Sequence, residues 1–169
     1  MEAEEEFSAF VRSHSGELQR MGWLLTGDWS AAQDLVQSSL TKTWQRWRSI
    51  RRRDAPEAYV RRVMMTTFLG WRRRRWTGEL ALGWLPDGAD SSDVAADVAR
   101  HDAVVKALRR LPKQQRAVVV LRYFADLSEH ATADALRCSV GTVKSQTSRA
   151  LAALRSNDAL RGATAEESR

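Results

Sequence analysis

The sequence predicts an all-α protein: two small helical domains joined by a flexible acidic linker. Three observations carry that expectation. Apolar residues recur at steps of three and four through both halves of the chain. Charge is segregated: residues 1–45 hold three basic and seven acidic side chains, 46–76 eleven and two, 77–99 none and five, 100–155 eleven and four. All seven tryptophans precede residue 85. Composition therefore changes at the acidic stretch, as expected of two domains with separate cores. The expected boundaries are 1–76 and 98–155 for the domains, 77–97 for the linker and 156–169 for a flexible tail.

The first helix opens on Glu2, Glu4, Glu5 and Glu6, favourable at the positive end of a helix dipole. Phe7, Phe10, Val11, Leu18, Met21, Leu24 and Leu25 form its apolar face, and Ser15-Gly16 is expected to break it in two. Gly27 reads as a C-cap and Asp28 as the next N-cap. The second helix, Trp29 to about Trp47, carries a stripe of Leu35, Leu40, Trp44 and Trp47, with Asp34, Gln37 and Lys42 outward. A basic loop, Arg51, Arg52, Arg53, Asp54 and Ala55, closes on Pro56, which suits the first turn of a third helix ending near Trp76. That helix alternates Tyr59, Val60, Val63, Met64, Thr67, Phe68 and Trp71 with Arg61, Arg62 and Arg72 to Arg75. Two readings stay open for it: rings and guanidinium groups for a single-stranded nucleic acid, or a buried aromatic face with a solubilising basic end.

Residues 77–97 are rich in Gly, Asp and Ser and poor in periodicity, a solvated tether. Beyond it, Val104, Val105, Leu108 and Leu111 mark a helix stopped by Pro112. QQRAVVVLRY continues as a helix with Val118, Val119 and Leu121 inside, Phe124 and Leu127 packing at its end. LSEHATADALRCSVGTVKSQTSRALAALR then reads as two helices and a tight turn. Ser128 caps the first, whose inner face is Ala131, Ala135 and Leu136; Arg137-Cys138 make the turn; Ser139 caps the second. On that second helix Val140, Val143, Thr147, Ala150, Leu151 and Leu154 share one face. Gly141, Thr142, Lys144, Ser145, Gln146, Ser148 and Arg149 share the other, with no carboxylate. Small residues for close approach, hydrogen-bonding groups for base edges and cations for phosphates are what a major groove asks for. The motif is a helix-turn-helix with its second helix as reader. These last four helices span only about 60 residues, small for an independent core.

Net charge is +6 and the pI about 10.2, which favours an anionic partner. One cysteine excludes an internal disulfide, and no apolar run approaches the roughly 20 residues of a membrane span. The acidic start is the reverse of a signal peptide, so a cytoplasmic protein without membrane insertion is expected. No pattern of a nucleotide-binding loop, metal site or catalytic triad is present, so no cofactor and no enzyme activity are expected. Two other classes stay open. One is a nucleic-acid-modifying enzyme with a helical DNA-binding module, against which stands that no set of catalytic residues clusters in sequence. The other is a repressor or activator using only the C-terminal hairpin and a fused sensor domain. Against it, the first half is itself strongly basic in residues 46–76 and shows no ligand-pocket signature.

Three strings carry a resemblance. LPKQQRAVVVLRYFADLSEHATADALRCSVGTVKSQTSRALAALR is similar to the C-terminal DNA-binding domain, region 4, of the extracytoplasmic-function sigma factors of the sigma-70 family. TGDWSAAQDLVQSSLTKTWQRW resembles the polymerase-binding helix of their region 2, and DAPEAYVRRVMMTTFLGWRRRRW the promoter-melting helix. VGTVKS is the most specific string, and the sigma-E-like branch carries similar YVRRV, WRRRRW and LRYF strings. The match covers nearly all of residues 5–155.

The resemblance implies a subunit that lends promoter recognition to bacterial RNA polymerase. Asp34, Leu35, Gln37 and Leu40 would dock on the core, its β and β′ subunits being the partners. Arg51, Arg52, Arg53, Asp54, Ala55, Tyr59, Arg62, Thr66, Trp71, Arg73 and Arg74 would handle the −10 element. Ser128, His130, Ser139, Gly141, Thr142, Lys144, Ser145, Gln146, Ser148 and Arg149 would handle the −35 element. An anti-sigma protein is a further expected partner. Three positions depart from the family pattern. Thr66 stands where Asn is common, Arg137 where Gly is usual in the turn, and His130 where a small or acidic residue is usual. If the turn needs a left-handed backbone, Arg137 costs up to about 1 kcal/mol.

Overall fold

A computed structural model of the chain describes residues 2–50, 56–71 and 101–156. The loop 51–55, residues 72–76, the linker 77–97 and the tail from 157 onward lie outside the described residues. The architecture is all-α, as expected: α1 (Glu2–Thr26), α2 (Trp29–Ile50), α3 (Pro56–Gly70), α4 (101–109), α5 (Lys113–Val119), α6 (Glu129–Leu136) and α7 (Val140–Arg155). There is no strand among the described residues, and no helix among them is long and apolar enough to cross a membrane.

The α1–α2 corner forms as its residues dictate. Gly27 takes φ 69°, a left-handed conformation open to glycine, and its N–H closes on the Trp23 carbonyl at 2.7 Å. Asp28 Oδ1 accepts from the Ala31 N–H at 2.7 Å, an N-cap for α2. The two helices then run back along each other, and Gly22 lets them approach. A Cβ at Gly22 would stand 3.2 Å from the Ala32 carbonyl oxygen.

Two expectations change here. α1 is unbroken at Ser15-Gly16, because Phe10, Leu18, Met21, Leu24 and Leu25 are buried on both sides of it. Packing outweighs the roughly 1 kcal/mol helix penalty of one glycine. The stripe of α2 is Ala32, Leu35, Val36, Ser39, Thr43 and Trp47, all buried. Trp44 lies off it, 43% exposed. The two polar members belong inside because their hydroxyls donate along the helix, Ser39 to the Leu35 carbonyl and Thr43 to the Ser39 carbonyl, both at 2.7 Å. Phe7 and Phe10 close the far end on Trp47, ring centroids 5.0 and 5.3 Å away.

α3 buries Val60, Met64, Met65, Thr67 and Phe68, while Tyr59 and Val63, expected inside, are half-buried. Its first two turns are tied to α1, by Arg61 on Glu17 at 2.6 Å and by His14 Nε2 against Glu57 at 3.2 Å. His14 is half-buried and stacks on Phe10.

In the second half α5 widens into a π-helical turn, Val120–Phe124, whose bonds reach five and six residues, Ala125 N–H to Val120 at 3.0 Å and Leu127 N–H to Leu121 at 2.9 Å. The widened turn shifts the register, so Val120 and Leu121 go inward while Tyr123 and Phe124 end about half exposed. Of Phe124 and Leu127, both expected to pack, Leu127 is half-buried against the core and Phe124 is not.

The two halves do not build separate cores. Buried side chains from α1 to α3 and from α4 to α7 join in one apolar cluster, with α6 packed on α3 and α5 touching α1 and α3. The small second half thus gains from the first the area it lacks alone.

Candidate nucleic-acid interface

The reader hairpin is set by its caps. Ser128 Oγ accepts from the Ala131 N–H and Ser139 Oγ from the Thr142 N–H, each at 3.1 Å. Between them Arg137 sits at φ 54°, ψ 46° and its N–H closes α6 onto Ala133 and Asp134. The left-handed site that glycine would fill is therefore real. Cys138, half-buried beside it, packs against the core, and burial pushes its thiol above the ordinary value.

α6 buries Thr132, Ala133, Ala135 and Leu136; Ala131, expected inside, is only half-buried. α6 is covered on two sides, by α7 and by α3. α7 buries Val143 and Ala150 completely and half-buries Val140, Thr147, Leu151 and Leu154, the expected inner face. Gly141, Lys144, Ser145, Ser148 and Arg149 are exposed, with Thr142 and Gln146 half-buried between them.

Hydrogen bonding divides these groups. Ser139 and Thr142 share a hydroxyl contact at 2.9 Å, and Ser145 donates back to the Thr142 carbonyl at 3.0 Å. Among the described residues no hydrogen bond or ion pair holds Gln146, Ser148 or Arg149, so their donors face outward uncommitted. Lys144 Nζ lies 3.8 Å from a Glu129 carboxylate oxygen, a loose exposed pair. That contact brings the start of α6, with Ser128 and His130, beside the second turn of α7. It also puts one carboxylate near a face whose own helix has none. The sequence signal was present, since Glu129 directly follows the Ser128 cap, but only the crossing of the two helices aims it at Lys144.

On α3, Tyr59 is half-buried and Thr66 exposed, but Thr66 Oγ1 donates to the Arg62 carbonyl at 2.9 Å. Its oxygen is left to accept and its methyl to pack. Arg62 is half-buried with its Nε enclosed. Trp71 is half-buried against the core. Arg51, Arg52, Arg53, Asp54, Ala55, Arg73 and Arg74 lie outside the described residues.

On α2, Asp34 and Gln37 are exposed on one face with Leu40 half-buried beside them. Leu35, expected on a docking surface, has no exposed area; it anchors α2 to the core and cannot touch a partner in this arrangement. Sequence reading missed Lys113 and Arg116, which reach from α5 into the first half. Lys113 donates to the Phe68 carbonyl at 3.2 Å and to that of Trp71, and Arg116 to that of Leu25 at 2.6 Å.

Comparison with known proteins bears on this arrangement. The family model of sigma-70 region 2 matches residues 10–78, and that of sigma-70 region 4 matches residues 101–154. The chain is 41% identical to the RNA polymerase sigma-E factor of Streptomyces avermitilis, over 89% of this chain and 83% of that protein. It is 39% identical to the sigma-E factor of Streptomyces coelicolor, over 89% and 84%. The fold matches the sigma factor RpoE of Bartonella quintana, solved in complex with the anti-sigma factor NepR, at a TM-score of 0.71 and 22% identity, covering 93% of this chain and 98% of that one. With a region 2 bundle, a region 4 helix-turn-helix and relatives of this kind, the chain belongs to the extracytoplasmic-function sigma factors of the sigma-70 family, which direct RNA polymerase in transcription initiation.

Proposed function

We propose that this sigma factor reads a −35 element with α7, captures and opens a −10 element with α3 and the 51–55 loop, and docks on core polymerase through the outer face of α2. The observation that carries the reading is the exposed face of α7: free of its own carboxylates, Ser139-capped, with Gln146, Ser148 and Arg149 unengaged among the described residues. An amide in mid-face pairs with adenine, while Lys144 and Arg149 are long enough to reach phosphates on either side. On α3, Tyr59, Thr66 and half-buried Arg62 line the side from which an opened strand would approach, with Trp71 held by the core. On α2, Asp34, Gln37 and Leu40 form the polymerase contact and Leu35 holds them in place. The protein acts as an initiation subunit, not as a catalyst.

The test is run-off transcription with core polymerase on genomic fragments, followed by templates altered in one element at a time. Transcripts should depend on both elements, and Asp34→Lys should weaken capture of core polymerase without loss of helicity. Transcription indifferent to the upstream element would overturn the role of α7, and unchanged core binding by Asp34→Lys that of α2. RpoE of Bartonella quintana is seen with an anti-sigma factor. A partner of that class belongs to this reading, and its competition with core polymerase for the tagged chain is the check.

A further inference from the structure

Among the described residues, three positions have φ in the left-handed region: Gly27, Asp126 and Arg137. Two of them carry residue types suited to it. Glycine has no Cβ to clash, and aspartate, short and polar, is among the types enriched there. Arg137 is neither, and it sits at φ 54°, ψ 46° with a long cationic side chain. Its place in the fold does not call for arginine. The residue is exposed, and among the described residues no hydrogen bond or ion pair holds its guanidinium. Its backbone N–H closes α6 onto the carbonyls of Ala133 and Asp134, a bond that any residue but proline makes. A cation near the end of α6 also offsets the helix dipole. The last turn of α6 has no basic residue, however, and one placed there would do the same on a right-handed backbone. Strain held without a packing or capping return clusters at functional sites.

The turn leads straight into the reader helix. Arg137 stands just before Cys138 and Ser139, and the Ser139 hydroxyl caps α7 by accepting from the Thr142 N–H at 3.1 Å. In a helix-turn-helix the first helix crosses the phosphate backbone and the first residues of the second meet base edges. The turn between them therefore passes one wall of the groove. The cations of α7 serve this entry poorly, since Arg149 lies far along the helix and Lys144 stands 3.8 Å from the Glu129 carboxylate. We propose that Arg137 grips a phosphate of the −35 duplex, adding affinity without reading sequence. The proposal rests on the promoter reading above. A guanidinium offers a planar fork of donors that matches phosphate oxygens. Each phosphate so neutralised releases about 0.9 of a counterion from duplex DNA. Glycine at this position relieves the backbone and forfeits the contact, so stability and affinity move in opposite directions.

The experiment uses holoenzyme assembled from core polymerase and the full chain, titrated with a labelled promoter duplex over a range of salt. Urea unfolding of the full chain runs beside it. Arg137→Gly and Arg137→Asn both suit a left-handed backbone and remove the charge, whereas Arg137→Lys keeps both the charge and the strain. The two neutral variants should bind up to about eightfold more weakly near 0.1 M salt, by the same factor on matched and mismatched −35 elements. Their salt slope should fall by about one unit. Both should unfold at urea concentrations no lower than wild type. Arg137→Lys should keep the wild-type slope and most of the affinity. Wild-type affinity and slope in both neutral variants overturns the proposal. So does a loss confined to the matched element, which makes Arg137 a base reader, and so does a loss that comes with lower stability, which makes its role structural. If wild-type holoenzyme does not discriminate −35 sequences, the promoter reading has failed, and the slope difference on either duplex alone decides whether the phosphate contact exists.

Discussion

At the scale of single residues, the positions that depart from the family pattern have definite physical consequences. Arg137 holds a left-handed backbone at φ 54° with its side chain in solvent. Replacing it with glycine removes the strain, loses no buried contact, and gives back part of the gain through unfolded-chain entropy. Arg137→Gly should stabilise the protein by about 0.5–1 kcal/mol in urea unfolding; a loss of stability would mean the side chain carries an unrecognised contact. Thr66 is the second such residue. Its hydroxyl hydrogen is spent on the Arg62 carbonyl, so toward a base it offers an acceptor and a methyl. Thr66→Asn supplies a donor as well, and transcription of a library of −10 variants should change its rank order. An unaltered order would remove Thr66 from the reading surface. The caps, the turn residues and the sidedness of α7 were legible in the sequence because each depends on a few neighbouring residues. The engagement of Lys144 with Glu129 was not, because the crossing of α6 and α7 decides it.

At the scale of elements, helix type was legible throughout and helix extent less so. Gly16 looked like a break, yet α1 runs through it because apolar residues on both sides are already committed to the core. A Cβ at Gly16 would meet only Arg20 Nη1 at 3.6 Å. Gly16→Ala should therefore raise stability by about 0.5–1 kcal/mol in thermal or urea unfolding; a decrease would show that this turn of α1 bends. The stripe of α2 was misread for a related reason. Leu35 and Trp47 were placed correctly, but Ser39 and Thr43 were passed over as polar. Their hydroxyls are satisfied within the helix, so burying them costs little. The π-helical turn after α5 has no simple sequence signature, and it alone sets Tyr123 and Phe124 outward. Lys113, the first residue of α5, was a readable clue to its contact with the end of α3, since a cation there opposes the dipole of the helix that carries it.

At the scale of the whole molecule, the composition change at the acidic stretch suggested two independent cores, while the structure joins them. The size of the second half was the better guide, because about 60 residues bury too little area to stand alone comfortably. One shared cluster implies one cooperative unit, so calorimetry at low ionic strength should show a single unfolding transition whose van't Hoff and calorimetric enthalpies agree. Two resolved transitions would show that the halves fold separately. The central claim remains that α7 reads sequence while its flanking cations hold the backbone. Its most direct test is transcription by core polymerase from a randomised −35 library with wild type, Gln146→Ala and Lys144→Ala. Gln146→Ala should relax preference at one base position, by about 1–3 kcal/mol, leaving the others intact. Lys144→Ala should lower output on all templates about equally and reduce the salt slope of duplex binding by about one unit. Uniform loss from Gln146→Ala together with altered base preference from Lys144→Ala would contradict the account and place α7 in the groove at a different angle.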